Sequence, residues 1–354
     1  MRYSRASSLF FDTPLELLPA KAEEILAFWR SKLAGLDIDA ERFEGLYEPV
    51  VATIYEMDDW FATGGKTEDK PEPGSIAVLP LHGILGQRMN MMLYYSGGTS
   101  TELFAAEFNK LVNNPDIKAI VCDIDSPGGS VYGLSELADV IFAARGAKPM
   151  VAQVNSLAAS AAYHIASQFP EIVVTPGADV GHIGVSMLHL NYAQQVENEG
   201  IKPYLITAGK YKHEQAQGAN LVPVSDEALA DWQARVDEVY GRFVSAVARG
   251  RGVKPADVRT GFGEGRVVGA AEAVKLGMAD RVGTLEQTIA RLASGGRRGG
   301  RRAELSAETE SPADEEPENP KEDEDEESNN AEAHERLGRF RLKAFQARAA
   351  AGAA

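Results

Sequence analysis

Between about residues 75 and 293, short apolar runs alternate with longer stretches in which apolar positions recur every three or four residues. The runs at 76–81 (IAVLPL), 119–124 (AIVCDI), 150–154 (MVAQV), 171–175 (EIVVT) and 204–206 (YLI) have the length and composition of buried strands. The stretches 100–113, 133–145, 160–167, 191–200 and 226–249 carry helical spacing. Strands joined through helices pair in parallel, and the helices then cover the sheet. The pattern therefore predicts an α/β domain built on a parallel sheet, with no internal repeat.

The flanks read differently. Thr13-Pro14-Leu15-Glu16 has the form of a helix start, with Thr13 as N-cap, Pro14 at the first helical position and Glu16 closing a capping box. Leu17, Leu18, Ile25, Leu26, Phe28 and Trp29 continue with helical spacing towards Ala34, and Gly35 ends the run. Pro19 is expected to kink this helix near its start. Residues 64–75 (GGKTEDKPEPGS) read as a polar linker, so 1–74 is expected to be a helical extension and linker ahead of a main domain at 75–293.

Residues 294–354 lack the apolar content to fold alone and are expected to be disordered. Of the formal net charge of −16, much lies at 303–335, where 15 Asp or Glu face a single Lys. Leu337, Phe340, Leu342 and Phe345 then alternate with Arg336, Arg339, Arg341, Lys343 and Arg348 as in a short basic amphipathic helix suited to an acidic partner. This charge distribution argues against a general nucleic-acid surface. The single cysteine, Cys122, lies in an apolar run and reads as a core residue, which removes disulfides and favours a reducing compartment. No secretion signal and no apolar run of the roughly 18 residues needed to span a membrane is visible, so a soluble, cytosolic protein is expected.

The candidate chemistry lies in 155–167 (NSLAASAAYHIAS), where Ser160 stands among small residues just after the apolar run 150–154. A serine at the start of a helix entered from a buried strand presents its hydroxyl to a cleft beside free backbone amides, and this makes Ser160 the candidate nucleophile. Ser126-Pro127-Gly128-Gly129-Ser130 follows another run, and its two glycines suit either an oxyanion site or merely a tight strand-to-helix turn. Two kinds of base are available. His164, His182, His189 or His213, with Asp179 as orienting acid, would make a triad. Lys210 or Lys212 would serve if burial kept the amine neutral. Spacing alone leaves these alternatives open. The histidines and cysteine show no metal-ligand spacing, and SPGGS lacks the ending of a phosphate-binding loop, so neither metal nor cofactor is expected.

Taken together, SPGGS at 126–130, SLAASAAYHIAS at 156–167, IGVSM at 183–187, AGKYK at 208–212 and GRVVGAAEAVKLGMADRVG at 265–283 resemble, in order and spacing, the Ser/Lys-dyad proteases of the signal peptide peptidase A type. That resemblance implies a fold similar to Clp protease and crotonase. It further implies Ser160 as nucleophile, Lys212 rather than Lys210 as general base, and an oxyanion hole from the amides of Gly129 and Ala161. One position departs from the family pattern, since His182 stands where serine is usual. Single-repeat members share the dyad between subunits, so a ring-like homo-oligomer is implied.

With the segment HLNYAQQVENEGI and the charged tail, the chain looks most similar to the prohead proteases of tailed bacteriophages, the minor capsid protein C group. Such a protein would act on scaffold, coat or portal proteins inside an assembling prohead in the host cytoplasm. The alternatives are a cytosolic bacterial peptidase that clears signal-peptide remnants, and a catalytically silent assembly protein on the same fold. Cleavage specificity, subunit number and any self-cleavage of the tail are not legible in the sequence.

Overall fold

A computed structural model describes residues 14–18, 52–55, 71, 73–88, 98–215 and 219–295. Ten strands form one sheet: β1 (Leu15–Leu17), β2 (Thr53–Tyr55), β3 (Ser75–Gly86), β4 (Gly98–Ser100), β5 (Ile117–Ser130), β6 (Met150–Ala159), β7 (Ile172–Val174), β8 (Asp179–Gly181), β9 (Val267–Gly269) and β10 (Arg281–Val282). Its central order is β10-β7-β6-β5-β3-β2. The pairings from β3 through β10 along this path are parallel, as the alternation of strands and helices requires, whereas β2 joins the edge antiparallel. The helices are α1 (Thr101–Asn113), α2 (Leu134–Ala143), α3 (Ala161–Ala166), α4 (Ala193–Asn198), α5 (Asp226–Arg251), α6 (Pro255–Gly261), α7 (Ala270–Lys275) and α8 (Leu285–Ala293).

Successive side chains of a strand point to opposite faces, and here both faces are buried. Ala77, Leu79 and Leu81 of β3, Ile120, Cys122 and Ile124 of β5, and Ala152 and Val154 of β6 share one core with Phe104, Phe108, Leu137, Ile141, Phe169, Phe243 and Val247. Their neighbours Ile76, Val78, Ala119, Val121, Val151 and Val173 face Ile289, Leu292 and Ala293 of α8 on the other side. This two-sided burial is why the strands read as continuous apolar runs. Cys122 is buried and free, as its sequence context indicated.

Helix ends follow local chemistry. Ser100 and Ser225 cap α1 and α5 by accepting from Leu103 N and Ala228 N, and Gly252 closes α5 at φ 68°. The expected helices at 100–113 and 226–249 appear with ends shifted by two residues at most, while 133–145 ends as α2 followed by a 3₁₀ turn.

Three expectations are overturned. Leu15–Leu17 is a strand, not the first turn of a helix, and Glu16 hydrogen-bonds His164 rather than closing a capping box. Pro14 suits either state, and an open sheet edge at Gly128–Ser130 decides in favour of the strand. Thr13 and the rest of the expected helix to Ala34 lie outside the described residues, as do the tail and its basic segment. Residues 204–206 form no strand and pair with none of the described strands; Tyr204 and Ile206 are 83% and 96% exposed. Finally, residues 126–130 do not leave the sheet in a sharp turn; β5 runs through them, with Ile84 opposite Gly128 and Leu85 opposite Gly129. Gly129 is required there, since an added Cβ would stand 2.0 Å from Leu85 O.

The C-terminal end of α3 is held by one cation. Arg145 donates to the carbonyls of Ser167 (2.9 Å), Gln168 (2.6 Å), Phe169 (2.7 Å) and Gly250 (2.8 Å), tying α3 to the end of α5. Burial and the neighbouring Arg251 and Arg249 lower its pKa to about 10, so it stays charged at neutral pH. Arg145→Met leaves four carbonyls without this donor, and the unfolding free energy from urea titration is expected to fall by about 3 kcal/mol.

Candidate active site

Ser160 is the single residue between β6 and α3. Its backbone lies at φ 56°, ψ −118°, a region that side chains with a Cβ rarely occupy. Two hydrogen bonds hold it there: Ser160 N donates to Gly181 O at 2.7 Å, and His164 N donates to Ser160 O at 2.9 Å. Ala158, Ala159, Ala161 and Ala162 are all buried, so the small residues noted in the sequence are what lets the chain turn inside the core.

Ser160 is itself fully buried, and its Oγ has no hydrogen-bond partner. The expectation of a hydroxyl facing an open cleft is therefore not met in the single chain. A buried hydroxyl without a partner is costly, and at a strained backbone position it marks a group kept for chemistry rather than stability.

The candidate bases are not at the hydroxyl. Lys212 begins an exposed 3₁₀ turn, Lys212–Gln215, where its amide donates to Gly209 O at 3.1 Å. The buried lysine that a dyad needs is thus not formed within one chain. Lys210 bonds the Tyr211 hydroxyl and Glu227 Oε1 (3.5 Å), and these contacts raise its pKa, which opposes a role as neutral base.

Among the described residues no histidine completes a triad with the Ser160 hydroxyl either. His164, one turn along α3, is buried and pairs through Nδ1 with Glu16 Oε2 at 3.1 Å, stacked on Phe243. His182 follows Gly181 at φ 54°, donates its amide to Arg266 O at 2.8 Å, and has its pKa lowered by burial. His189 packs against Trp232 with its ring tilted by 40°, and His213 is exposed in the 3₁₀ turn. Asp179 sits exposed on β8, opposite Gly269.

The oxyanion candidates fall near Ser160. Ala161 is the first residue of α3, so its amide has no acceptor within the helix. The Gly128-Gly129 backbone lies alongside: a Cβ placed on Gly128 would stand 3.0 Å from Ser160 Cβ and 2.2 Å from Glu16 O. Glu16 and Ser186, which the sequence reading did not connect with chemistry, thereby enter the site. Leu15 N donates to Ser186 O (2.7 Å), and Ser186 N donates to Leu15 O (3.0 Å). Among the described residues no cluster of side chains suits a metal ion, and no helix is long and apolar enough to cross a membrane.

A serine at a strained strand-to-helix junction, with glycine backbone and a free amide beside it, defines a candidate acyl-transfer centre on a parallel α/β sheet. Residues 143–297, the segment that carries Ser160, Lys212 and α3, match the family model described as Peptidase family S49. The chain is 30% identical over 310 residues to the head-tail preconnector protein GP5 of Enterobacteria phage P21, covering 86% of this chain and 60% of that one. It is also 30% identical over 285 residues to the capsid assembly protease C of Escherichia phage lambda, covering 78% of this chain and 62% of that one. A putative signal peptide peptidase SppA of Enterococcus faecium is 26% identical over 228 residues, covering 63% and 65%. The chain thus spans about three fifths of the length of the two phage relatives. Among solved structures, a ClpP1 mutant from Listeria monocytogenes aligns at 13% identity and TM-score 0.35, covering 60% of this chain and 94% of that one.

The backbone strain at residue 160 is measurable. Ser160→Gly removes the Cβ that makes φ 56° costly, and the relief exceeds the added chain entropy of glycine. Chemical denaturation of this variant is expected to give a stability equal to the parent or higher by about 1 kcal/mol.

Proposed function

We propose that the chain is a serine endopeptidase that uses a Ser160/Lys212 dyad and acts on capsid-assembly proteins during phage head maturation. The observation that carries this reading is Ser160 itself: strained, buried, without a hydroxyl partner, and inside the S49 segment. In the first step Lys212, uncharged, takes the Ser160 proton as Oγ attacks a peptide carbonyl. The amides of Ala161 and Gly129 bind the oxyanion. The lysinium then protonates the leaving amine, and water hydrolyses the acyl-enzyme to restore Ser160.

An uncharged lysine requires desolvation, and Lys212 is exposed in the single chain. Assembly supplies the missing burial in this reading. Ile201, Tyr204, Ile206 and Tyr211 are 55%, 83%, 96% and 47% exposed within the segment that leads to Lys212, a stretch of apolar surface that suits contact with another copy. A homo-oligomer would then bring Lys212 of one subunit to Ser160 of its neighbour.

The substrate class follows the phage relatives. One of these is named for capsid assembly and the other for the head-tail connection, and scaffold, coat or portal proteins are the corresponding targets here. The site of action would be the assembling prohead in the host cytoplasm. The acidic stretch and basic end of residues 297–354 would carry the enzyme into the shell by binding its components.

Ser160→Ala and Lys212→Ala are each expected to abolish peptide hydrolysis, while Lys210→Ala and His182→Ala remain active. Mixing the two inactive variants should restore part of the activity, because a mixed oligomer contains intact Ser160/Lys212 pairs across its interfaces. No recovery on mixing, with mixed assembly verified by mass spectrometry, would rule out a shared dyad. Deleting residues 297–354 is expected to leave hydrolysis intact and to reduce incorporation into proheads, as read by immunoblot of purified particles.

A further inference from the structure

β6 pairs with β5 only as far as Ala158 opposite Ser126. The chain then turns at Ser160 into α3, and the β5 edge from Gly128 to Ser130 is left without its neighbour. Leu15–Leu17 fills that edge antiparallel, with Leu15 opposite Ser130, Glu16 opposite Gly129 and Leu17 opposite Gly128. Leu18 N donates to Pro127 O at 3.0 Å. On the far side of this short strand Leu15 exchanges two backbone hydrogen bonds with Ser186. A slot for one extended peptide therefore runs between Gly128–Ser130 and Ser186, directly over Ser160. Adding a strand to an exposed edge is a general way of recognising peptides, with main-chain bonds for affinity and pockets for alternate side chains.

The occupant is placed as a substrate would be. Glu16 O and Ser160 Cβ both lie within 3.0 Å of the point where a Cβ on Gly128 would stand, so the Glu16 carbonyl is next to the nucleophile. The Glu16 side chain is 2% exposed and reaches His164 Nδ1 at 3.1 Å. Arg242 of α5 adds positive potential at the same carboxyl. Burial pushes the Glu16 carboxyl up, so the group gains little from desolvation and depends on this partner. A glutamate in a three-residue strand between two leucines has no reason to be buried against a histidine one turn beyond Ser160, unless the pocket accepts its carboxyl group.

We propose that this slot is the substrate-binding cleft of the Ser160 centre, that His164 makes its specificity pocket for an acidic side chain on the residue whose carbonyl is attacked, and that Leu15–Leu17 is an internal occupant which substrates must displace. The inference deepens the peptidase reading and rests on it. His164 touches the substrate side chain, not the reacting atoms, and so governs selection rather than bond cleavage. The strand also accounts for the complete burial of Ser160 in a chain whose sequence promised an accessible hydroxyl.

The test follows the rate at which a fluorophosphonate probe labels Ser160 in the full-length assembled protein. Short blocked peptides containing Leu-Glu-Leu, Leu-Gln-Leu or Leu-Lys-Leu are added as competitors. In the unmodified protein the Glu peptide is expected to protect Ser160 at about tenfold lower concentration than the Gln peptide, with the Lys peptide weaker still. Glu16→Ala and Leu18→Pro, which loosen the internal strand, should speed labelling by about tenfold. His164→Gln should erase the preference for Glu over Gln while the Gln peptide still protects.

Equal protection by all three peptides in the unmodified protein would overturn the acidic pocket without relying on any variant's folding. Labelling of the Glu16 and Leu18 variants at the parent rate would overturn the internal occupant. Absence of labelling in the parent and in both loosened variants would instead defeat the peptidase reading, and this inference with it.

Discussion

The site depends on β6 leaving the sheet before β5 does. β6 ends at Ala159 while β5 continues to Ser130, and the residue at the parting, Ser160, must turn the chain from extended to helical within one position. That turn forces φ to 56°, directs the Ser160 amide to Gly181 O, and leaves the Ala161 amide without a helical acceptor. It also strips the Gly128–Ser130 edge of its partner. The strained serine, the unpaired helical amide and the open strand edge are thus three consequences of one geometric event.

Such a turn persists only if the surroundings outweigh its strain. Arg145 gathers the carbonyls at the end of α3, and Tyr163 reaches Met278 O at 2.9 Å from the middle of the same helix. Gly250 permits close contact, since a Cβ there would stand 2.0 Å from Ser167 O. On the strand side, Gly181 is held between β6 and β9. The short helix is therefore clamped along its length, and Ser160 cannot relax into an ordinary helical start.

The proposed general base stands outside this rigid frame. Lys212 belongs to an exposed segment in which neighbouring apolar side chains also face solvent, whereas Ser160 is at the centre of the core. In the proposed peptidase this separation has a physical use: the hydroxyl is preorganised in every chain, and the base is desolvated only on assembly. An internal strand over the serine would add a second restraint acting within one chain.

Much of the fold was legible in the sequence because two-sided burial writes itself as continuous apolar runs. β3, β5 and β6 begin within a few residues of the runs that predict them, and the helices at 101–113 and 226–251 announce themselves by period. Ser160 was legible too, since a serine among alanines between a buried run and a helix leaves few other placements. The fate of 14–18 and 204–206 was not. Leu-Glu-Leu and Tyr-Leu-Ile have local preferences compatible with more than one state, and what selects among them is whether an unpaired strand edge lies within reach. Leu15–Leu17 finds one at Gly128–Ser130, more than a hundred residues away, and residues 204–206 find none among the described residues. The sequence by itself thus determined the layers, the parallel sheet and the place of Ser160 between strand and helix, through periodicity and residue size. Only tertiary structure decided what covers that serine, because edge pairing is set by distant backbone and not by the residues that do the pairing.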